Sequence, residues 1–289
     1  MKAPPVFLRA WFVIFTLIIL FTTFMVQAQA EEGTGRVQPA PMLEIPPTIM
    51  FHARSNQRHI LPELIDDLLA DGYQFTTYQQ YYTAVREGEP LENPIILTFD
   101  DLTLVEGSSN FHYYAQVMEI LTEKGIPAVF AVVTEPVVFD TNNQIVQITE
   151  QNPDYWQQAK TWAAQGIEFA THTQSHPNLD NPALTQADFN REIVGSAQLI
   201  EHYLGAPVMT LITPYGSGVT QDGEIDPRIL TALDGTALHF VVGIAGMRQP
   251  RANGQGVYGV GRIMPDDQQP ETTLLQTLIA ETQRWRDFN

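Results

Sequence analysis

The chain has 289 residues, 44% of them apolar and 17% charged, with no cysteine and a formal net charge of −18. That much apolar material closes a substantial core, which excludes a disordered chain, and the acidic excess repels nucleic acid and anionic lipid, which need positive patches. Without cysteine there are no disulfides, and any metal site must be built from histidine and carboxylate.

Lys2 and Arg9 precede an uncharged run from Ala10 to Val26, and Ala28-Gln29-Ala30 stands in front of Glu31-Glu32. A charged start, an apolar centre and an A-x-A site read as an export signal over residues 1–30, so the protein is expected to be secreted or held in the cell envelope. The apolar run, about seventeen residues, is at the short edge of what spans a bilayer; an uncleaved anchor is the alternative, and membrane contact is expected only in that case. Cleavage would remove two of the 15 basic residues and none of the 33 acidic ones, leaving 13 against 33 and a net charge of −20. Residues 31–47 (EEGTGRVQPAPMLEIPP) are rich in glycine, proline and charge and read as a linker. One domain is expected over 48–289.

Thr48–Phe51 reads as a strand. Leu61–Ala70 has apolar residues at 61, 64, 65, 68 and 69, the helical spacing, and Asp71-Gly72 stops it. A short strand at Tyr73–Thr76 and a helix near Tyr78–Arg86 follow. Pro94–Phe99 is a continuous apolar strand running into Asp100-Asp101, followed by a helix near Phe111–Lys124, closed by Gly125, and a strand at Ala128–Val133. The alternation continues with helix Tyr155–Gln165, strand Ile167–Ala170, helix Thr185–Leu204, strand Val208–Ile212, helix Pro227–Leu233, strands His239–Ile244 and Val257–Val260, and a last helix Glu271–Phe288. Glu135–Asp154 and Gly243–Gly256 lack a clear pattern and read as loops. Strands buried on both faces and separated by helices predict a mostly parallel sheet, here a single-domain distorted (β/α) barrel of about seven parallel strands.

In such folds chemistry collects where strands end at their carboxyl side. Three segments qualify: Asp100-Asp101, His172 with His176, and Thr213-Pro214-Tyr215-Gly216. Two imidazoles four residues apart can converge on one point and, with a carboxylate, suit Zn²⁺ or another first-row divalent ion. Adjacent aspartates in an extended chain point opposite ways, so one can ligate while the other acts as a base. Trp156 and Trp162, at helical spacing, read as core, with Trp156 also placed to stack on a sugar; His59, His112 and His202 read as ordinary polar groups.

Thr98-Phe99-Asp100-Asp101, followed by His172-Thr173-x-x-His176-Pro177-Asn178-Leu179, resembles the polysaccharide deacetylase family, also called the NodB homology domain or carbohydrate esterase family 4. The likeness runs from about Pro47 to the C terminus; Gly125-Ile126-Pro127-Ala128 fits the strand after the first motif, and Phe51-His52 resembles the Tyr-His that opens the exopolysaccharide-deacetylating branch. The resemblance implies a NodB-like barrel and an exported metal-dependent deacetylase. Its substrate would be an N-acetylated or O-acetylated glycan of chitin-like, peptidoglycan or exopolysaccharide type. Carried over residue by residue, it implies Asp100 as general base for a metal-activated water. Asp101, His172 and His176 would be the ligands of one divalent ion, Zn²⁺ first, with Co, Ni, Mn or Fe as alternatives. Tyr215 would give a backbone N–H to the oxyanion.

The match departs from the family in three places. Ile212 stands where the family has an arginine that orients the base, and Leu102 where Gly normally follows the aspartates, a position at which leucine adopts positive φ only at a cost. No histidine follows His239, so the late Leu-x-His motif that supplies the acid is missing, although Val260-Gly261-Arg262-Ile263 resembles the Arg-Ile stretch that ends some members. His52, at the end of the first strand, is placed ahead of His239 as the acid. The missing arginine and late histidine motivate a second reading, a glycan-binding protein on the same fold; a third is a C–N hydrolase of the same superfamily acting on a non-acetyl amide.

Overall fold

A computed structural model describes residues 43–289 apart from 90, 140–141, 245–250, 253–255 and 288–289. The expected export signal and residues 31–42 of the linker lie outside the described residues. Leu43 and Ile45 are buried against the domain, so the chain joins it a few residues ahead of Thr48. Among the described residues no helix is long and apolar enough to cross a membrane.

The strands in chain order are β1 (Thr48–Phe51), β2 (Gln74–Thr76), β3 (Pro94–Leu102), β4 (Val129–Val132), β5 (Val137–Phe139), β6 (Ile145–Gln147), β7 (Glu168–Thr171), β8 (Thr210–Ile212), β9 (Phe240–Val242), β10 (Arg251–Ala252) and β11 (Tyr258–Val260). The helices are α1 (Ser55–Ala70), α2 (Tyr78–Glu87), α3 (Ser109–Lys124), α4 (Pro153–Ala163), α5 (Gln186–Phe189), α6 (Ser196–Leu204), α7 (Pro227–Leu233) and α8 (Glu271–Asp287). The main sheet runs β1-β3-β4-β7-β8-β9-β11, all parallel, with β2 also on β3 and the antiparallel β10 on β11. Its two ends meet just after β11: Met50 donates to the Ile263 carbonyl at 2.9 Å and Ile263 donates to the Thr48 carbonyl at 2.7 Å. The result is the expected distorted barrel, joined at its seam by a short bridge instead of a full ladder.

Alternation along the strands sorts their side chains into two cores. Ile49, Phe51, Leu97, Phe99, Phe130, Phe169, Leu211 and Val241 pack outward with the helices, whereas Ile96, Val129, Ala131, Ala170, Ile212, Val242 and Val260 fill the lumen with Tyr78, Tyr81 and Tyr82 of α2. On the outer face Phe51, Phe99, Phe130 and Phe169 stand in one register row, and the first three stack at centroid distances of 5.2 and 4.7 Å.

Several elements differ from expectation for identifiable reasons. Helix α1 begins at Ser55, six residues ahead of Leu61, because residues 55–59 are all polar and carry no apolar signal. The helix expected over Thr185–Leu204 is interrupted by a π-helical segment, Asn190–Gly195. Glu135–Asp154 contains the hairpin β5–β6, whose residues are exposed on both faces, so no alternation marked it. Strand β3 continues through both aspartates to Leu102, with a register shift after Phe99.

Candidate active site and metal centre

The parity that fills the lumen also aims the site. Asp100 follows Ile96 and Thr98 on the inner face, His172 follows Ala170, and Arg262 follows Val260, so all three arrive at the carboxyl end of the lumen. Asp101 is set apart from Asp100 by a left-handed backbone, φ 67°. That torsion was expected to trouble Leu102; it falls on the aspartate, which tolerates it better, and Leu102 is buried in the outer core. The two-aspartate segment is fixed from α3, where Asn110 Nδ2 donates to the Asp101 carbonyl at 3.0 Å and the Tyr114 hydroxyl donates to that of Asp100.

His172 is buried, and its Nδ1 donates to the Ile212 carbonyl at 2.7 Å, which turns Nε2 toward Asp101. His176 lies at φ 62° in a tight loop, its backbone N–H bound to Thr173 Oγ1 at 3.1 Å and its Nδ1 3.2 Å from the Tyr215 hydroxyl. Glu192, a buried carboxylate on the π-helical segment, accepts from Ser175 N–H at 2.8 Å and from Ser175 Oγ at 2.9 Å, holding this loop from behind.

Three ligand atoms therefore converge. The two Nε2 atoms are 3.2 Å apart, and Asp101 Oδ1 is 3.5 Å from His172 Nε2 and 3.2 Å from His176 Nε2. Ligands at ~2.0–2.2 Å around a tetrahedral ion stand about 3.3–3.6 Å apart, so a His-His-carboxylate set of this size fits a first-row divalent ion. Burial pushes the Asp101 carboxyl up, but the hydrogen bonds from both histidines outweigh it and hold the carboxyl well below the ordinary range. Burial likewise pulls His172 down, and Asp101 and Asp100 reverse this and leave it raised. A proton and a metal ion compete for the same Nε2 lone pair, so loading the site releases protons.

Asp100 is itself almost wholly buried. Burial would raise its pKa, yet it is lowered, chiefly by Arg262, whose Nη1 donates to Asp100 Oδ1 at 2.7 Å, and further by His172.

The polysaccharide deacetylase family profile matches residues 87–235, just over half of the chain and the part that carries the aspartate pair and both histidines. The chain belongs to this family. Solved structures with the same fold include a Streptococcus pyogenes deacetylase, PplD, in complex with acetate, at 19% identity and a TM-score of 0.56, covering 82% of this chain and 99% of that one. A de-N-acetylase from Aggregatibacter actinomycetemcomitans gives 17% identity and 0.57, over 80% and 98%, and IcaB from Ammonifex degensii gives 16% and 0.53, over 83% and 98%. No curated protein sequence matches the chain. With its Asp-His-His cluster at the strand ends, the chain has the site of a metal-dependent deacetylase.

In this deacetylase the remaining candidates divide. His52 stands at the end of β1 with Nε2 4.0 Å from Asp101 Oδ2, approaching from the side of the sheet opposite β7 and its histidines. Tyr215 lies beside His176 at φ 58°, with 64% of its surface exposed. His239 precedes β9 and stacks on Tyr82 at 4.8 Å, at the amino end of the strands and away from the triad. Trp156 is buried, stacks on Tyr203 and donates to Gln151 Oε1 at 3.0 Å, which removes it as a sugar platform.

The site roles of two residues escaped the sequence reading, although Arg262 stands in the Arg-Ile stretch. Arg262 shares the lumen parity of Tyr258 and Val260, a signal that was present and pointed inward. Glu192 lies on the apolar stripe of Phe189 and Ile193, where a charged residue marks a buried polar partner.

Proposed function

We propose that this deacetylase is an exported enzyme that hydrolyses N-acetyl or O-acetyl groups of a glycan with one divalent ion, Zn²⁺ first, held by Asp101, His172 and His176. The reading rests on one observation: a buried carboxylate, Asp100, lies next to the converging ligand atoms and is held there by Arg262. When bound, the ion supplies Lewis acidity, polarising a carbonyl and drawing the pKa of water toward about 7. Asp100 Oδ1 is engaged by Arg262, which leaves Oδ2 to take the proton as general base. His52, across Asp101 from the ligand histidines, donates a proton to the leaving amine or alkoxide. The Tyr215 N–H serves the developing oxyanion.

Purified protein should hold one divalent ion and release acetate from an acetylated chito-oligosaccharide or an aryl acetate. Asp100→Asn should stop turnover with the metal retained, and His52→Gln should lower kcat by about 10²–10⁴-fold. Turnover that survives Asp100→Asn would refute the base assignment. Export is read separately by N-terminal sequencing, which should begin at Glu31.

The binding-protein reading drew on the missing family arginine and late histidine. Arg262 beside Asp100 and His52 beside Asp101 offer substitutes for both, which favours the enzyme. Metal-dependent glycan retention without acetate release would restore the binder, and amine release without acetate would point to a C–N hydrolase.

A further inference from the structure

We propose that Arg262 is the positioning residue for the catalytic base, taking over from the other side of the barrel the task that position 212 cannot perform here. The proposal rests on the reading of Asp100 as that base.

Ile212 ends β8 with a buried aliphatic side chain and contributes to the site only its carbonyl, which holds His172. The guanidinium comes instead from the seam. Arg262 is buried, and three hydrogen bonds each tie it to a different place: Nε donates to the Gly243 carbonyl at 2.9 Å, and Nη1 donates to Thr98 Oγ1 at 3.1 Å and to Asp100 Oδ1 at 2.7 Å. The backbone on either side of Arg262 is fixed too, since Gly243 N–H donates to the Val260 carbonyl at 2.8 Å and Ile263 exchanges bonds with Met50 and Thr48. The base is therefore oriented by the element that joins the last strand to the first. A planar fork gripping a backbone carbonyl with one arm and a carboxylate with another holds that carboxylate to one rotamer, a constraint a point charge does not reproduce. It acts through Asp100 and not on the substrate, so its removal should lower kcat and leave KM alone.

The test uses the metal-loaded protein with an acetylated chito-oligosaccharide and with 4-nitrophenyl acetate. Arg262→Met should bind one equivalent of metal, lower kcat by at least about 100-fold and change KM by less than about threefold, as expected when a reacting group loses its alignment. Arg262→Lys, which keeps the charge and is the fallback should the methionine variant not fold, should lose at least about tenfold in kcat. Guanidinium ion added to Arg262→Ala should restore part of the rate. Independently of activity, thermal unfolding should show coupling, with Arg262→Met shifting the midpoint less in an Asp100→Asn background than in the parent chain. Parental kcat in Arg262→Lys or Arg262→Met, alongside a dead Asp100→Asn, would overturn the positioning role and leave the base assignment standing. Undiminished turnover in Asp100→Asn would overturn the base assignment itself, and absence of thermal coupling would overturn the pairing.

Discussion

Asp101, Thr173, His176 and Tyr215 all adopt positive φ, between 58° and 68°, and all four lie at the proposed site. Non-glycine residues in this region cost on the order of 1–3 kcal/mol each and persist only where the surroundings over-determine them. Here the surroundings are specific: Thr171 Oγ1 accepts from Thr173 N–H at 3.3 Å, Thr173 Oγ1 from His176 N–H, and Glu192 from Ser175. The strained turn brings His176 Nε2 back to His172 Nε2, which a four-residue extended spacing would not do. Glu192→Ala should accordingly weaken metal binding by about 10–100-fold, the usual effect of losing a group that orients a ligand. Calorimetric titration with Zn²⁺ checks this, and an unchanged affinity would show that the loop keeps its shape unaided.

At the scale of the element, alternation along a strand decides what faces the lumen, and the lumen runs from Glu168 at its amino end to the metal site at the other. Glu168 is buried at the start of β7 and accepts from Gln79 N–H at 2.9 Å and Thr210 Oγ1 at 2.6 Å. Burial outweighs these bonds and raises its pKa above that of an ordinary carboxyl. A carboxyl whose pKa is raised by folding contributes most to stability below its unfolded value and loses that contribution as pH rises through the folded one. Glu168→Gln has no charge to bury, so its melting temperature relative to the parent should climb between pH 4 and pH 8, and a pH-independent difference would contradict the burial argument. Strand β11 carries a second local constraint: a Cβ on Gly259 would lie 2.5 Å from the Gly223 carbonyl oxygen, a backbone atom that cannot turn aside. Gly259→Ala should cost about 1–3 kcal/mol, measurable by urea denaturation.

Over the whole molecule, the Asp-His-His set links the end of β3 to the loop after β7, so a bound ion cross-braces the barrel across β4. A ligand that binds only the folded state at about 100 times its Kd adds about 2.7 kcal/mol. Chelation should therefore lower the melting temperature and Zn²⁺ should restore it, with no such response in Asp101→Ala. Much of this was legible in the chain: the alternation of apolar strands with helices set the parallel barrel, and the aspartate pair and the histidine pair marked the candidate ligands, because both are local patterns; the choice of Asp101 over Asp100 as ligand came from the family resemblance. Neither the hairpin β5–β6 nor the π-helical segment was legible, since exposure on both faces erases period two and a wide helical turn keeps the helical stripe. Sequence alone thus determined which residue types could bind a metal and on which strand ends they would stand. Only the tertiary structure decided how the base is held, because Arg262 reaches Asp100 across 162 positions of chain through the closing of the barrel, and strand parity turns the arginine inward without naming its partner.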